Sequence, residues 1–136
     1  MARIRVVDDE PMMLDLLKKA LTHKGHEVLT AESGRKAIQL FRQDRPDVTI
    51  LDLNLPDING IEVLREIRSV DPHAPVIILT GAGTEDLEQQ ARALGVTDIL
   101  KKGFSLHALG AALQRILKQP EQADPPPSGP ENPRAR

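Results

Sequence analysis

Four strand-like runs in this 136-residue chain stop at polar residues that could do chemistry. Ile4–Val7 runs into Asp8, Asp9 and Glu10. Asp52 closes the run that begins at Val48, inside LDLNLPDING. Thr80 follows Val76–Leu79, and Lys101 and Lys102 follow Thr97–Leu100. Consecutive carboxylates such as Asp8 and Asp9 repel each other unless a cation lies between them. With Asp52 they make three hard oxygen donors, the kind that suits Mg²⁺. A carboxylate can also be a nucleophile toward a phosphoryl group, provided a divalent metal and a fixed cation stabilise the transferring oxygens. Lysine at the fourth of these run ends can be that cation. Singly, each residue has a plainer reading: an N-capping Asp, a solvated lysine pair, a turn threonine. Their coincidence at run ends is what points to metal-assisted phosphoryl chemistry.

The elements that must position these residues follow from periodicity. Ile4–Val7 reads as a strand, followed by a helix with Met13, Leu16, Leu17, Ala20 and Leu21 on one face and Gly25 as its stop. A short strand at Val28–Thr30 precedes a helix capped by Ser33, with Ala37, Ile38, Leu40 and Phe41 as its stripe. Val48–Leu53 is a buried strand, Ile61, Leu64 and Ile67 mark a helix, and Val76–Leu79 is a fourth strand between Pro75 and Gly81. Thr84 is a capping candidate for a helix reaching about Leu94, with Glu85, Asp86 and Glu88 in the first turn, where the macrodipole favours them. Thr97–Leu100 is the fifth strand. Ser105 caps a last helix carrying Leu106, Leu109, Leu113, Ile116 and Leu117, and Phe104 and Leu109 form a hydrophobic staple. Five such βα units predict an α/β fold with a doubly wound parallel sheet covered by helices on both faces. Ligands of such sheets bind outside the carboxyl ends of the strands, where the polar run ends converge.

Composition narrows the function classes. Lys+Arg number 18 against Asp+Glu 20, so no positive field draws the chain to nucleic acid or an anionic membrane. Without cysteine there is no disulfide, thiolate metal site or Cys nucleophile. Only Phe41 and Phe104 are Phe, Tyr or Trp, leaving almost nothing on which single-stranded nucleic acid could stack. No signal peptide or membrane span is visible, which makes a cytoplasmic protein the expectation. His23, His26, His73 and His107 lie away from the acidic cluster, and no GxxxxGK loop occurs. Six of the eleven prolines fall after residue 118, so residues 1–118 read as one domain and 119–136 as a Pro-rich disordered tail or linker stub.

VVDDE, LDLNLPDINGIEVL, VIILTG and GVTDILKKGF, in this order over about residues 3–118, resemble the receiver domains of bacterial two-component response regulators. The resemblance implies a flavodoxin-like sheet of order 2-1-3-4-5. It implies that Asp52 is the phosphorylated residue and that Asp8, Asp9, Asp52 and the main-chain carbonyl of Asn54 surround Mg²⁺. Asp9 would be a direct ligand, with Asp8 acting largely through water. Thr80 would be the switch hydroxyl and Lys102 the phosphoryl contact, leaving Lys101 on the other face. The donor would be the phosphohistidine of a sensor histidine kinase or a histidine phosphotransfer protein. Phosphorylation and dephosphorylation would be self-catalysed, in a signalling phosphoacceptor rather than an enzyme with a separate substrate. The output would be altered binding of a downstream protein, or of a missing C-terminal output domain, with a homodimer possible on activation and no direct nucleic acid or membrane contact. Two positions depart from the family pattern. Gly103 stands where a proline in a cis peptide is usual, and Ile99 replaces the aromatic residue three positions before the lysine. The other readings are a degenerate receiver that only docks and a small flavodoxin-like phosphatase with Asp52 as nucleophile.

Overall fold

The computed structural model describes residues 2–81 and 85–122. The elements in chain order are β1 Arg3–Val7, α1 Pro11–His23, β2 Glu27–Ala31, α2 Gly34–Gln43, β3 Val48–Asp52, α3 Gly60–Val70, β4 Val76–Thr80, α4 Glu85–Ala93, β5 Asp98–Lys101 and α5 Leu106–Gln122. All five strands are parallel in the order β2-β1-β3-β4-β5, which brings the ends of β1 and β3 side by side in the middle of the sheet. The expected fold and strand order are thereby observed.

Strand alternation sorts the core into two layers. Ile4, Val6, Val48, Ile50, Ile77 and Leu79 pack with α1 and α5 through Leu14, Leu17, Leu109 and Leu113. Val7, Leu51, Val76 and Ile78 pack with α2, α3 and α4 through Phe41, Ile61, Leu64 and Ala91. β3 and β4 are buried at every position, which is why Val76–Leu79 reads as an unbroken apolar run and β3 is apolar apart from Thr49 and Asp52. β5 lies at the sheet edge and has no fully buried residue.

Local signals in the sequence are realised. Ser33 Oγ accepts from the Lys36 N–H at 3.2 Å, and Ser105 Oγ accepts from the Ala108 N–H at 3.0 Å. Phe104 packs on the core that contains Leu109. Gly25 follows the end of α1 at φ +93°, a backbone that glycine adopts without steric cost. Some details differ. Leu16 and Leu106, expected on the apolar stripes of α1 and α5, are exposed, because each stands at the margin of its stripe. Leu53 lies just outside β3, because the chain turns there to let Gly60 pack behind it. β5 runs from Asp98 to Lys101, so Thr97 lies before it and Lys101 within it. α5 continues through Gln122, four residues past position 118. Thr84 and residues 123–136 of the expected tail lie outside the described residues. No helix among the described residues is long and apolar enough to cross a membrane.

Candidate functional site

The pairing of Val7 with Leu51 sets the next residues, Asp8 and Asp52, beside each other at the carboxyl edge of the sheet. Both are buried: Asp8 is 0% exposed and Asp52 1%, whereas Asp9 faces solvent. One carboxylate oxygen from each of Asp8, Asp9 and Asp52 lies within 4.8 Å of the others. Asp8 Oδ1 accepts from the Glu10 N–H at 2.9 Å. Its Oδ2 accepts no hydrogen bond although Lys102 Nζ is 3.3 Å away, a contact of charge without hydrogen-bond alignment. Burial holds the Asp8 carboxyl above the usual carboxylate range, and the charge of Asp52 pushes the same way against the Glu10 N–H and Lys102. Asp52 Oδ1 accepts from the Asn54 N–H at 3.1 Å.

The loop after Asp52 is built around a close approach. Gly60 N–H donates to the Leu53 carbonyl at 2.9 Å, and a Cβ at Gly60 would come within 2.6 Å of both the Asp52 carbonyl oxygen and Leu53 Cα. Only glycine fits, so α3 starts against the strand that carries Asp52. Asn59 caps α3 by accepting from the Glu62 N–H at 3.1 Å. Asp57 in the same loop accepts from the N–H groups of Gly34 and Arg35, each at 2.9 Å, at the first turn of α2. The Arg35 N–H, then that of Gly34, holds its carboxyl down to about 2. The β3–α3 loop is thus tied at one end to β3 and in its middle to α2.

The cation comes from the other side. Lys102 Nζ lies 3.0 Å from Asp52 Oδ2, 3.0 Å from Glu10 Oε1 and 3.3 Å from Asp8 Oδ2. Burial opposes its charge, but the hydrogen bonds to Glu10 and Asp52, with the charges of Asp52 and Asp8, leave its pKa raised. The Lys102 N–H donates to the Thr80 carbonyl at 2.6 Å, locking the residue to the end of β4. No cis peptide occurs among the described residues, so the Lys102–Gly103 bond is trans, and the chain turns by placing Gly103 at φ +97°. Thr80 is buried, and its Oγ1 has no hydrogen-bond partner. A cavity of about 170 Å³ beside it is lined by Thr80, Gly81, Glu85, Glu88, Lys101 and Lys102, so both lysines border one space. Ile99 packs against the α2–α3–α4 core.

The fold therefore brings Asp8, Asp9, Asp52 and Lys102 together, with Thr80 at the neighbouring strand end and Asn54 joined to Asp52 through its N–H. No histidine belongs to the cluster. Two participants escaped the sequence reading. Glu10 was visible beside Asp8–Asp9, but its ion pair with Lys102 spans 92 positions. Asp57 has a local cue only in its turn-rich surroundings, and nothing in the sequence says that its partner is the start of α2.

The family model for the response regulator receiver domain matches residues 4–114. The transcriptional regulatory protein TrcR of Mycobacterium tuberculosis is 36% identical over 124 residues, covering 91% of this chain and 48% of that protein. The chemotaxis protein CheY of Thermotoga maritima is 32% identical, covering 85% of this chain and 98% of that protein. The chain spans about half the length of the curated relatives TrcR, TcrX and MprA. Among solved structures, a response regulator receiver domain protein of Clostridium thermocellum is 34% identical with a TM-score of 0.84, covering 90% of this chain and 99% of that one. The response regulator TrrA of Thermotoga maritima, in complex with Mg(2+)-BeF, is 35% identical with a TM-score of 0.77, covering 85% and 99%. This chain belongs to the response regulator receiver domain family of two-component signalling.

Proposed function

We propose that Asp52 accepts a phosphoryl group from a phosphohistidine on a sensor histidine kinase or histidine phosphotransfer protein, and that the aspartyl phosphate switches partner binding. The observation that carries this reading is the buried carboxylate of Asp52 with an ammonium 3.0 Å from its Oδ2 and two further carboxylates at hand. The donor set fits Mg²⁺: hard oxygens from Asp8, Asp9 and Asp52, one of them the orphaned Oδ2 of buried Asp8. The Asn54 main-chain carbonyl would complete the protein ligands. When bound, Mg²⁺ supplies charge neutralisation for the incoming phosphoryl oxygens. That the similar response regulator TrrA forms a complex with Mg(2+)-BeF supports a Mg²⁺ site here.

In the transfer, an Asp52 carboxylate oxygen attacks phosphorus as the P–N bond to the donor imidazole breaks. The imidazole leaves with the bonding pair and takes its proton from solvent, and Asp52 becomes an acyl phosphate. Lys102 Nζ, already bonded to Asp52, follows the negative charge onto the phosphoryl oxygens. The unpartnered Thr80 hydroxyl donates to another of them, which draws the end of β4 toward the site. Repacking of the face formed by α4, β5 and α5 then changes what the domain binds. Later attack by water returns phosphate and the free carboxylate, so the domain resets itself without a separate substrate.

Incubation with Mg²⁺ and acetyl phosphate, followed by intact-mass spectrometry, tests the reading. Wild type should gain one phosphoryl mass, and Asp52→Asn or chelation of the metal should abolish the gain. Equal labelling of Asp52→Asn would sink it.

A further inference from the structure

Away from the strand-end site, Arg5 is a buried cation that forms no ion pair with a carboxylate among the described residues. Arg5 sits in the middle of β1 and is 3% exposed. Its neighbours Ile4 and Val6 belong to the α1–α5 core, so Arg5 points into the other layer, toward α2. Its Nε has no hydrogen-bond partner, and no carboxylate among the described residues pairs with it. Asp44, whose charge it feels, is bonded through both oxygens to Arg3. Next to it in register on β3, Thr49 is also buried with an unpartnered Oγ1. Arg5 lines a cavity of about 410 Å³ whose other lining residues include Lys18, Thr30, Leu40, Gln43 and Asp44.

A buried unpaired guanidinium is costly, and arginine does not escape the cost by losing its proton. Burial does press the Arg5 pKa downward, which marks the same penalty from the other side. The cavity carries two cations, Arg5 and Lys18, and one carboxylate already engaged elsewhere. A guanidinium with a free Nε–H offers a two-pronged fork matched to carboxylate or phosphate. We propose that the cavity between β1, β2 and α2 binds a small oxyanion, gripped by the Arg5 fork, with Lys18 as the second cation. Arg5 lies three residues before Asp8 on β1, so the occupant would rest roughly 10 Å from the acidic site, on a strand shared with it.

The test is NMR of the full chain, observing the Arg5 Nε–Hε resonance without Mg²⁺ at constant ionic strength, with inorganic phosphate in one arm and succinate in the other. The expected result is a saturable shift of Arg5 Nε and of the amides of residues 28–30 and 40–44. A response to phosphate alone, to succinate alone or to both supports the site and tells which oxyanion it takes. Arg5→Met should abolish the saturable response, and this apolar near-isostere removes an unpaired buried charge and should fold at least as stably. Lys18→Met, at an exposed position, should weaken binding roughly tenfold and provides the test if Arg5→Met does not fold. No saturable shift in either arm, identical shifts in Arg5→Met, or shifts confined to Thr80 and Lys102 would overturn the proposal.

Discussion

The two halves of the strand-end site are built to different standards. The acidic half stands on β1 and β3 in the middle of the sheet, and its β3–α3 loop is pinned by Gly60 against Leu53 and by Asp57 on α2. The cationic half stands at the edge, on a four-residue strand with no fully buried position, followed by a glycine at φ +97°. Local stability follows buried apolar contact and protected hydrogen bonds, so the acidic half is the firmer one. Under the proposed function this division would suit a switch: the carboxylates would hold the reacting group still, while Lys102 and Thr80 would answer to the new charge.

Substitutions at the joints should separate the halves. Gly60→Ala forces a Cβ against backbone on two sides and should cost about 3 kcal/mol of stability by denaturant titration, the upper end for overpacking. Lys102→Met should slow phosphoryl gain from acetyl phosphate roughly 10²-fold, the scale for losing one charge-stabilising donor, with Lys102→Arg in between. Asp57→Ala should cost about 1 kcal/mol, the scale of a lost N-cap. The Asp57 carboxyl is depressed from 3.8 to about 2, so its stabilisation is present above the ordinary value and is lost as pH falls through that window. The wild-type and Asp57→Ala curves should therefore converge toward pH 2, and a constant gap across acid pH would contradict the role. Gly103→Ala, with nothing within 4 Å of the added Cβ, should cost only the backbone strain of positive φ, about 1 kcal/mol. It should slow phosphorylation by displacing Lys102 while leaving the acidic half intact.

The fold and the membership of the acidic cluster were legible because both rest on strong local signals. Buried parallel strands write unbroken apolar runs, and the rule that sites form at their carboxyl ends sends Asp8, Asp52 and Thr80 to one edge. What could not be read is pairing across the chain. That Lys102 would bridge Glu10 as well as Asp52 depends on how an edge strand ends. That Asp57 would serve the N-terminus of α2 depends on two loops meeting. The trans Lys102–Gly103 peptide was undecidable from type alone, because glycine tolerates the turn by either route.

The identity of the phosphorylated residue is the claim on which the rest depends. Borohydride reduction of the acetyl phosphate-treated protein converts an aspartyl phosphate to homoserine, and peptide mass mapping then locates it. Homoserine at position 52 alone is the expected result. Homoserine at position 8, 9 or 57, or at none, would contradict the account.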